Sequence, residues 1–170
     1  MWDTRVSCEV GRRVHRLVAL AVAAGDGPED VSALARQMFR AEPLGGALAA
    51  SLLTRCISAV NVYLASCLPL GWELVGVEEP LAHCRLDLLW HDPVTGVLVV
   101  DELKTSRTDL TNPHTATQVR ALCVGGAERW GNRFGGVRVV TLAAPRRTFM
   151  VAPAGAGMRR LAPPPALAPR

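Results

Sequence analysis

The chain has 170 residues, 49% of them hydrophobic and 20% charged, which suits a globular protein with one real core. Its formal charge of +4 is too small to argue for nucleic-acid binding by itself. The five cysteines, Cys8, Cys56, Cys67, Cys84 and Cys123, form no C-x-x-C pair, which argues against zinc and iron–sulfur sites and suits reduced thiols of a cytoplasmic protein.

Residues 1–13 lead into a helix with alternating charge, unlike a secretory leader. The first helix, "VSCEVGRRVHRLVALAVAAG", carries Val10, Val14, Leu17, Val18 and Ala21 on one stripe. A break at Gly25 to Pro28 is followed by a second helix that stops before Pro43. A third, apolar helix ends at Pro69 and Gly71. Thr54, Arg55, Ser58, Asn61 and Ser66 interrupt it, so it is expected as a buried helix rather than a membrane span.

The texture then changes to short runs rich in valine and leucine. "WELVGVEEPL", "CRLDLLWH" and "GVLVVDELKT" are expected as strands, with a hairpin turn at Asp92 to Gly96. A helix from about Pro113 to Trp130, capped by Thr111 or Asn112, and two closing strands complete the pattern. The expected organisation is a single domain over residues 1–152. Residues 1–70 form its helical part and residues 71–152 its sheet and last helix. Residues 153–170 are expected as a disordered Pro/Ala/Arg tail. The class is α/β (α+β), with a mixed central sheet flanked by helices.

Of the 19 lysine and arginine residues only Lys104 is lysine. In an arginine-rich chain, a lone lysine marks a position where arginine does not serve. Strand alternation puts Leu98, Val100, Glu102 and Lys104 on one face and Val97, Val99, Asp101 and Leu103 on the other. A hairpin through "HDPVTG" brings Asp87, a carboxylate inside the apolar run "LDLLW", beside Glu102. Two buried like charges repel unless one is protonated or a cation lies between them. Oxygen ligands suit Mg²⁺ or Mn²⁺. Asp101, on the opposite face, reads as a local hydrogen-bonding or salt-bridge group.

Asp87 followed by Glu102-Leu103-Lys104 resembles the carboxylate and (D/E)-x-K of the PD-(D/E)XK nuclease superfamily, with "PD" replaced by "LD". Gly11 and His15 in "GRRVH", Glu78 before the aspartate in "VGVEEPL", and Gln118 after "KTS" resemble the RecB-like exonuclease branch. The tyrosine usual after the glutamine is missing. The resemblance covers about Gly11 to Leu142. It implies a restriction-endonuclease-like αβββαβ core with extra N-terminal helices. It also implies a magnesium or manganese site made by Asp87, Glu102 and the Leu103 carbonyl, with His15 or Glu78. Catalytic roles fall to Asp87, Glu102, Lys104 and Gln118. DNA is the implied partner, with RNA an alternative, and a homodimer or partner protein is compatible; no membrane is implied.

Arg12, Arg13 and Arg16 cluster on the first helix, where a solvated face is the default reading; Arg12, Arg16, Thr105, Ser106 and Arg107 are candidate contacts to nucleic-acid phosphates, with turn chemistry the plainer alternative for Thr105 and Ser106. His83, His91 and His114 have no ligand spacing, and Trp2, Trp72, Trp90 and Trp130 read as packing residues. Three functions stay open: a metal-dependent DNA nuclease, endo- or exonucleolytic; a catalytically inactive PD-(D/E)XK-like nucleic-acid-binding or protein-interaction module; and a small adaptor in which Glu102 and Lys104 form only a salt bridge.

Overall fold

The computed structural model describes residues 4–25, 27–41, 48–82, 84–106, 110–143, 147–152 and 160–161. It divides into two compact units, Met1–Leu68 and Pro69–Leu167. The first is all helical: α1 (Thr4–Ala24), α2 (Pro28–Ala41) and α3 (Leu48–Ser66) pack on one another. The stripe expected on α1 is its buried face, with Val14, Leu17, Val18 and Ala21 almost fully enclosed. Val31 and Ala35 of α2 and Leu52, Cys56, Val60 and Tyr63 of α3 complete this core.

Two expectations are corrected here. Helix α3 is not buried all round: its buried residues recur at a spacing of three or four, while Thr54, Arg55 and Ser58 are exposed. By length and composition alone its Ala49–Ser66 segment could cross a membrane. Arg13 does not join Arg12 and Arg16 on the solvated face; it is buried, with its guanidinium 4.9 Å from the centre of the Phe39 ring.

The second unit carries the sheet. Its strands are β1 (Glu73–Val77), β2 (Pro80–Leu81), β3 (Cys84–Arg85), β4 (Leu88–His91), β5 (Leu98–Lys104), β6 (Phe134–Thr141), β7 (Arg147–Val151) and β8 (Arg160–Leu161). The main sheet runs β1-β4-β5-β6-β7-β8, and β2 and β3 form a separate small ladder. Every pairing is antiparallel except β5 with β6, so the sheet is mixed. Helix α4 (Pro113–Trp130) makes the crossover that a parallel pair requires. The resulting α+β fold has the βββαβ order expected of the nuclease-like core. Strand β8 falls inside the segment expected as a tail; residues 153–159 and 162–170 lie outside the described residues.

Local chemistry explains the boundaries. The hairpin between β4 and β5 closes with Asp92 N–H on Val97 O at 2.9 Å and Gly96 N–H on Asp92 O at 2.8 Å. The Asp92 carboxylate accepts from Val94 N–H and the Thr95 hydroxyl, and the hydroxyl bond leads in holding its pKa below the usual value. Helix α4 is capped by Asn112, whose side chain accepts from His114 N–H and Thr115 N–H.

Helix α4 then covers one sheet face. Val119, Leu122 and Cys123 meet Leu98 and Val100 of β5, Val137 and Val139 of β6, and Phe149 and Val151 of β7. Gly126 permits the close approach: a Cβ there would lie 2.4 Å from the Phe134 ring. The opposite face holds a buried polar cluster, in which Asp101 accepts from Trp90 Nε1 at 3.1 Å and from Arg138 Nε at 2.6 Å, with a second Arg138 bond through Nη2. Asp101 and Arg138 are register partners on β5 and β6, so strand pairing brings them together.

Candidate metal and nuclease site

A polar corner of the sheet lies at the C-terminal end of β5. Register pairs Leu88 with Asp101, so its continuation sets Asp87 opposite Glu102. The ladder stops there for a local reason. The Leu86 N–H turns away to Glu79 O at 3.0 Å, and Leu103 N–H is taken instead by the Asp87 carboxylate at 2.7 Å. The run "CRLDLLWH" is therefore not one strand: Cys84–Arg85 pairs with Pro80–Leu81, and Asp87 sits in the bend before β4. The Lys104 carbonyl accepts from Leu142 N–H on the β6 side, so alternation turns the Leu103 carbonyl toward the Asp87 side.

Glu102 is fully buried and Asp87 nearly so. A buried carboxylate needs a cation or donors. Lys104 supplies the cation, with Nζ 2.7 Å from Glu102 Oε1 and 2.6 Å from Gln118 Oε1 on α4. The sheet residue, its neighbour two positions on and the helix residue thus form one hydrogen-bonded chain.

Glu78 comes from the turn after β1, with its N–H on Asp87 O at 2.9 Å. Glu78 and Asp87 each offer a carboxylate oxygen within 4.8 Å of the other. Arg85 pairs with Glu78 at 3.5 Å on the exposed side. Cys84 stands near this corner: burial, and then the charge of Glu102, push its thiol pKa up.

Within the sheet unit the structure brings together Glu78, Asp87, Glu102, Leu103, Lys104 and Gln118. Thr105 and Ser106 follow in the bend after β5, half-buried and exposed respectively, and Arg107 lies outside the described residues. His15, half-buried, and the exposed Arg12 and Arg16 belong to α1 in the helical unit. His83 is also outside the described residues, whereas His91 has a structural partner in Glu73 at 3.1 Å.

Three features escape a reading of the sequence. Cys84 lies in the field of Glu102. Thr141 is the β6 register partner of Lys104. Arg129 is tied to the β1–β2 turn, with Nη2 3.2 Å from Glu79 Oε2 and Nη1 3.2 Å from Pro80 O. Each depends on strand register or helix docking, which leaves no local pattern.

The donor chemistry of this corner fits a hard divalent cation. The Glu78 and Asp87 carboxylates come within 4.8 Å of one another there, and oxygen ligands are preferred by Mg²⁺ and Mn²⁺ over zinc.

No protein-family model and no curated protein matches the chain. Among solved structures it is similar to the EndoMS-dsDNA2 complex, at 25% identity and a TM-score of 0.33, over 42% of this chain and 27% of that one. It is also similar to a repair endonuclease from Pyrococcus abyssi, at 24% identity and a TM-score of 0.34, over 54% of this chain and 34% of that one. The chain spans about a third or less of the length of these two proteins.

Proposed function

We propose that this protein is a metal-dependent DNA nuclease that hydrolyses phosphodiester bonds. One observation carries the reading: Lys104 is held by Glu102 and Gln118 at the edge of a carboxylate corner containing Asp87 and Glu78. A surface salt bridge needs neither a fully buried glutamate nor a helix-borne amide on the same ammonium.

Asp87, Glu102 and the Leu103 carbonyl would hold Mg²⁺ or Mn²⁺, with Glu78 as a further ligand. Such a cation supplies Lewis acidity, acidifying a water and offsetting charge that develops on the phosphate. The chain's own groups do the rest. The Asp87 carboxylate is fixed by the Leu103 N–H, so it loses little entropy on binding a cation. Gln118 orients Lys104, and Lys104 places a water for in-line attack while stabilising the negative phosphate oxygens. Arg12, Arg16, Thr105, Ser106 and Arg107 would contact the nucleic-acid backbone. The protein would act in the cytoplasm.

The test is thermal denaturation with and without Mn²⁺, together with cleavage of linear and single-stranded DNA. Mn²⁺ should raise the melting temperature by mass action. Asp87→Asn and Glu102→Gln should each remove that response and the cleavage. Unchanged Mn²⁺ stabilisation in both variants defeats the site. Metal binding without cleavage of any DNA or RNA favours the non-enzymatic module.

A further inference from the structure

Glu78 occupies an unfavourable backbone conformation. Its φ is +50°, in the left-handed region that a side chain with a Cβ disfavours. Such a residue persists only where its surroundings over-determine it. Two backbone bonds hold it from the strand side, Glu78 N–H to Asp87 O and Leu86 N–H to Glu79 O. The other side is held by α4, through two contacts.

The first contact is apolar. Leu81, buried at the end of β2, lies over Gly125 of α4, where a Cβ would come within 2.9 Å of its Cγ. The second is polar. Arg129, one helical turn further on, reaches Glu79 and Pro80 O with two different nitrogens. Gly76 leaves room for this: a Cβ there would be 2.6 Å from Glu79 Oε1. Arg129 is further steadied by the Trp130 ring, 5.3 Å from its guanidinium carbon. The residues on both sides of the strained position are therefore anchored, Glu79 and Pro80 by Arg129 and Asp87 by Leu103 N–H.

We infer that Arg129 is a positioning residue for the carboxylate corner: by tying the β1–β2 turn to the end of α4, it holds Glu78 in reach of Asp87 and so sets the affinity for a divalent cation. This rests on the metal-dependent reading proposed above. Arg129 touches neither Asp87 nor Glu102 in any described contact, and it acts through the turn. Its role differs from that of a stability contact in one respect. Loss of Arg129 should matter to the cation only while Glu78 has a carboxylate to present.

That difference gives the experiment. Mn²⁺ affinity is measured by titration calorimetry on the full chain, well below the melting temperature of each protein. The set comprises the wild type, Glu78→Gln, Arg129→Ala, Arg129→Lys and the Glu78→Gln/Arg129→Ala double variant. Arg129→Ala should weaken binding about tenfold, the scale seen when outer groups that orient metal ligands are removed. Arg129→Lys should recover part of the loss. The double variant should bind no more weakly than Glu78→Gln alone, because both changes act on one ligand. Wild-type affinity in Arg129→Ala, even with a lower melting temperature, overturns the inference and leaves the metal site standing. Fully additive losses overturn it as well. A wild type that binds no Mn²⁺ takes down the metal reading and this role with it.

Discussion

Replacing Lys104 separates a structural ion pair from a working site. The Lys104 side chain is 15% exposed and its partner Glu102 is fully buried, with 2.7 Å between Nζ and Oε1. Lys104→Ala strands that carboxylate beside Asp87. Breaking a buried pair by removing one partner costs roughly 3–5 kcal/mol, and the slight exposure of Lys104 puts the expected loss near about 3 kcal/mol. For a chain of this size that lowers the melting temperature by about 10 °C. Mn²⁺ should recover much of it in Lys104→Ala, since a bound cation replaces the missing ammonium beside Glu102. Lys104→Arg keeps the charge and should keep the stability. Its planar fork pairs with Glu102 in two-point fashion and fills the space that a compact ammonium leaves for water. DNA cleavage in Mg²⁺ should fall at least about a hundredfold in both variants, the scale of deleting one electrostatic stabiliser of a transition state. The assays are urea and thermal denaturation with and without Mn²⁺, and cleavage of linear DNA. Full activity in Lys104→Arg refutes the role given to the lysine. An equal loss of stability in Lys104→Ala with and without Mn²⁺ refutes the cation beside Glu102.

Thr141 is buried on β6, and its hydroxyl makes no hydrogen bond among the described residues. Thr141→Val should therefore be neutral or stabilising by up to about 1 kcal/mol in urea denaturation, and a loss larger than that would show that the hydroxyl has a partner. Cys123 is pushed up to about 11 by burial, and its folded value lies above its ordinary one. Stability from this protonated thiol is complete below pH 9 and is lost as pH rises toward about 11, which alkaline denaturation of Cys123→Ala against the wild type would reveal. The Cys84 thiol is raised by burial and then by the charge of Glu102, so Glu102→Gln should speed alkylation of Cys84 at pH 8. An unchanged rate would place Glu102 outside the reach of that thiol.

The sequence by itself determined the elements whose pattern is local. The stripe on α1, the turn from Asp92 to Gly96, the Asn112 cap and the alternation along β5 follow from periodicity and turn chemistry, and the structure shows each of them. It also separated Glu102 and Lys104 from Asp101, because strand alternation is a rule of covalent geometry. Tertiary structure decided what depends on register and docking. It split "CRLDLLWH" at Asp87, because Leu86 bonds to Glu79 rather than continuing the β4–β5 ladder. It gave Asp101 to Arg138 and Trp90, since only the parallel β5–β6 pairing sets Arg138 beside it. It left α3 solvated on one side although its composition reads as buried, because composition does not say which neighbours are present to cover a face. It tied Arg129 to a turn far away in sequence, through a helix that crosses over the small ladder before reaching it. Residues that meet across strands and helices carry no mark of the meeting in their own neighbourhoods. The chain's local chemistry wrote the elements and nominated the charged residues. Strand register then set Asp87 opposite Glu102, and the packing of α4 brought Gln118 to Lys104.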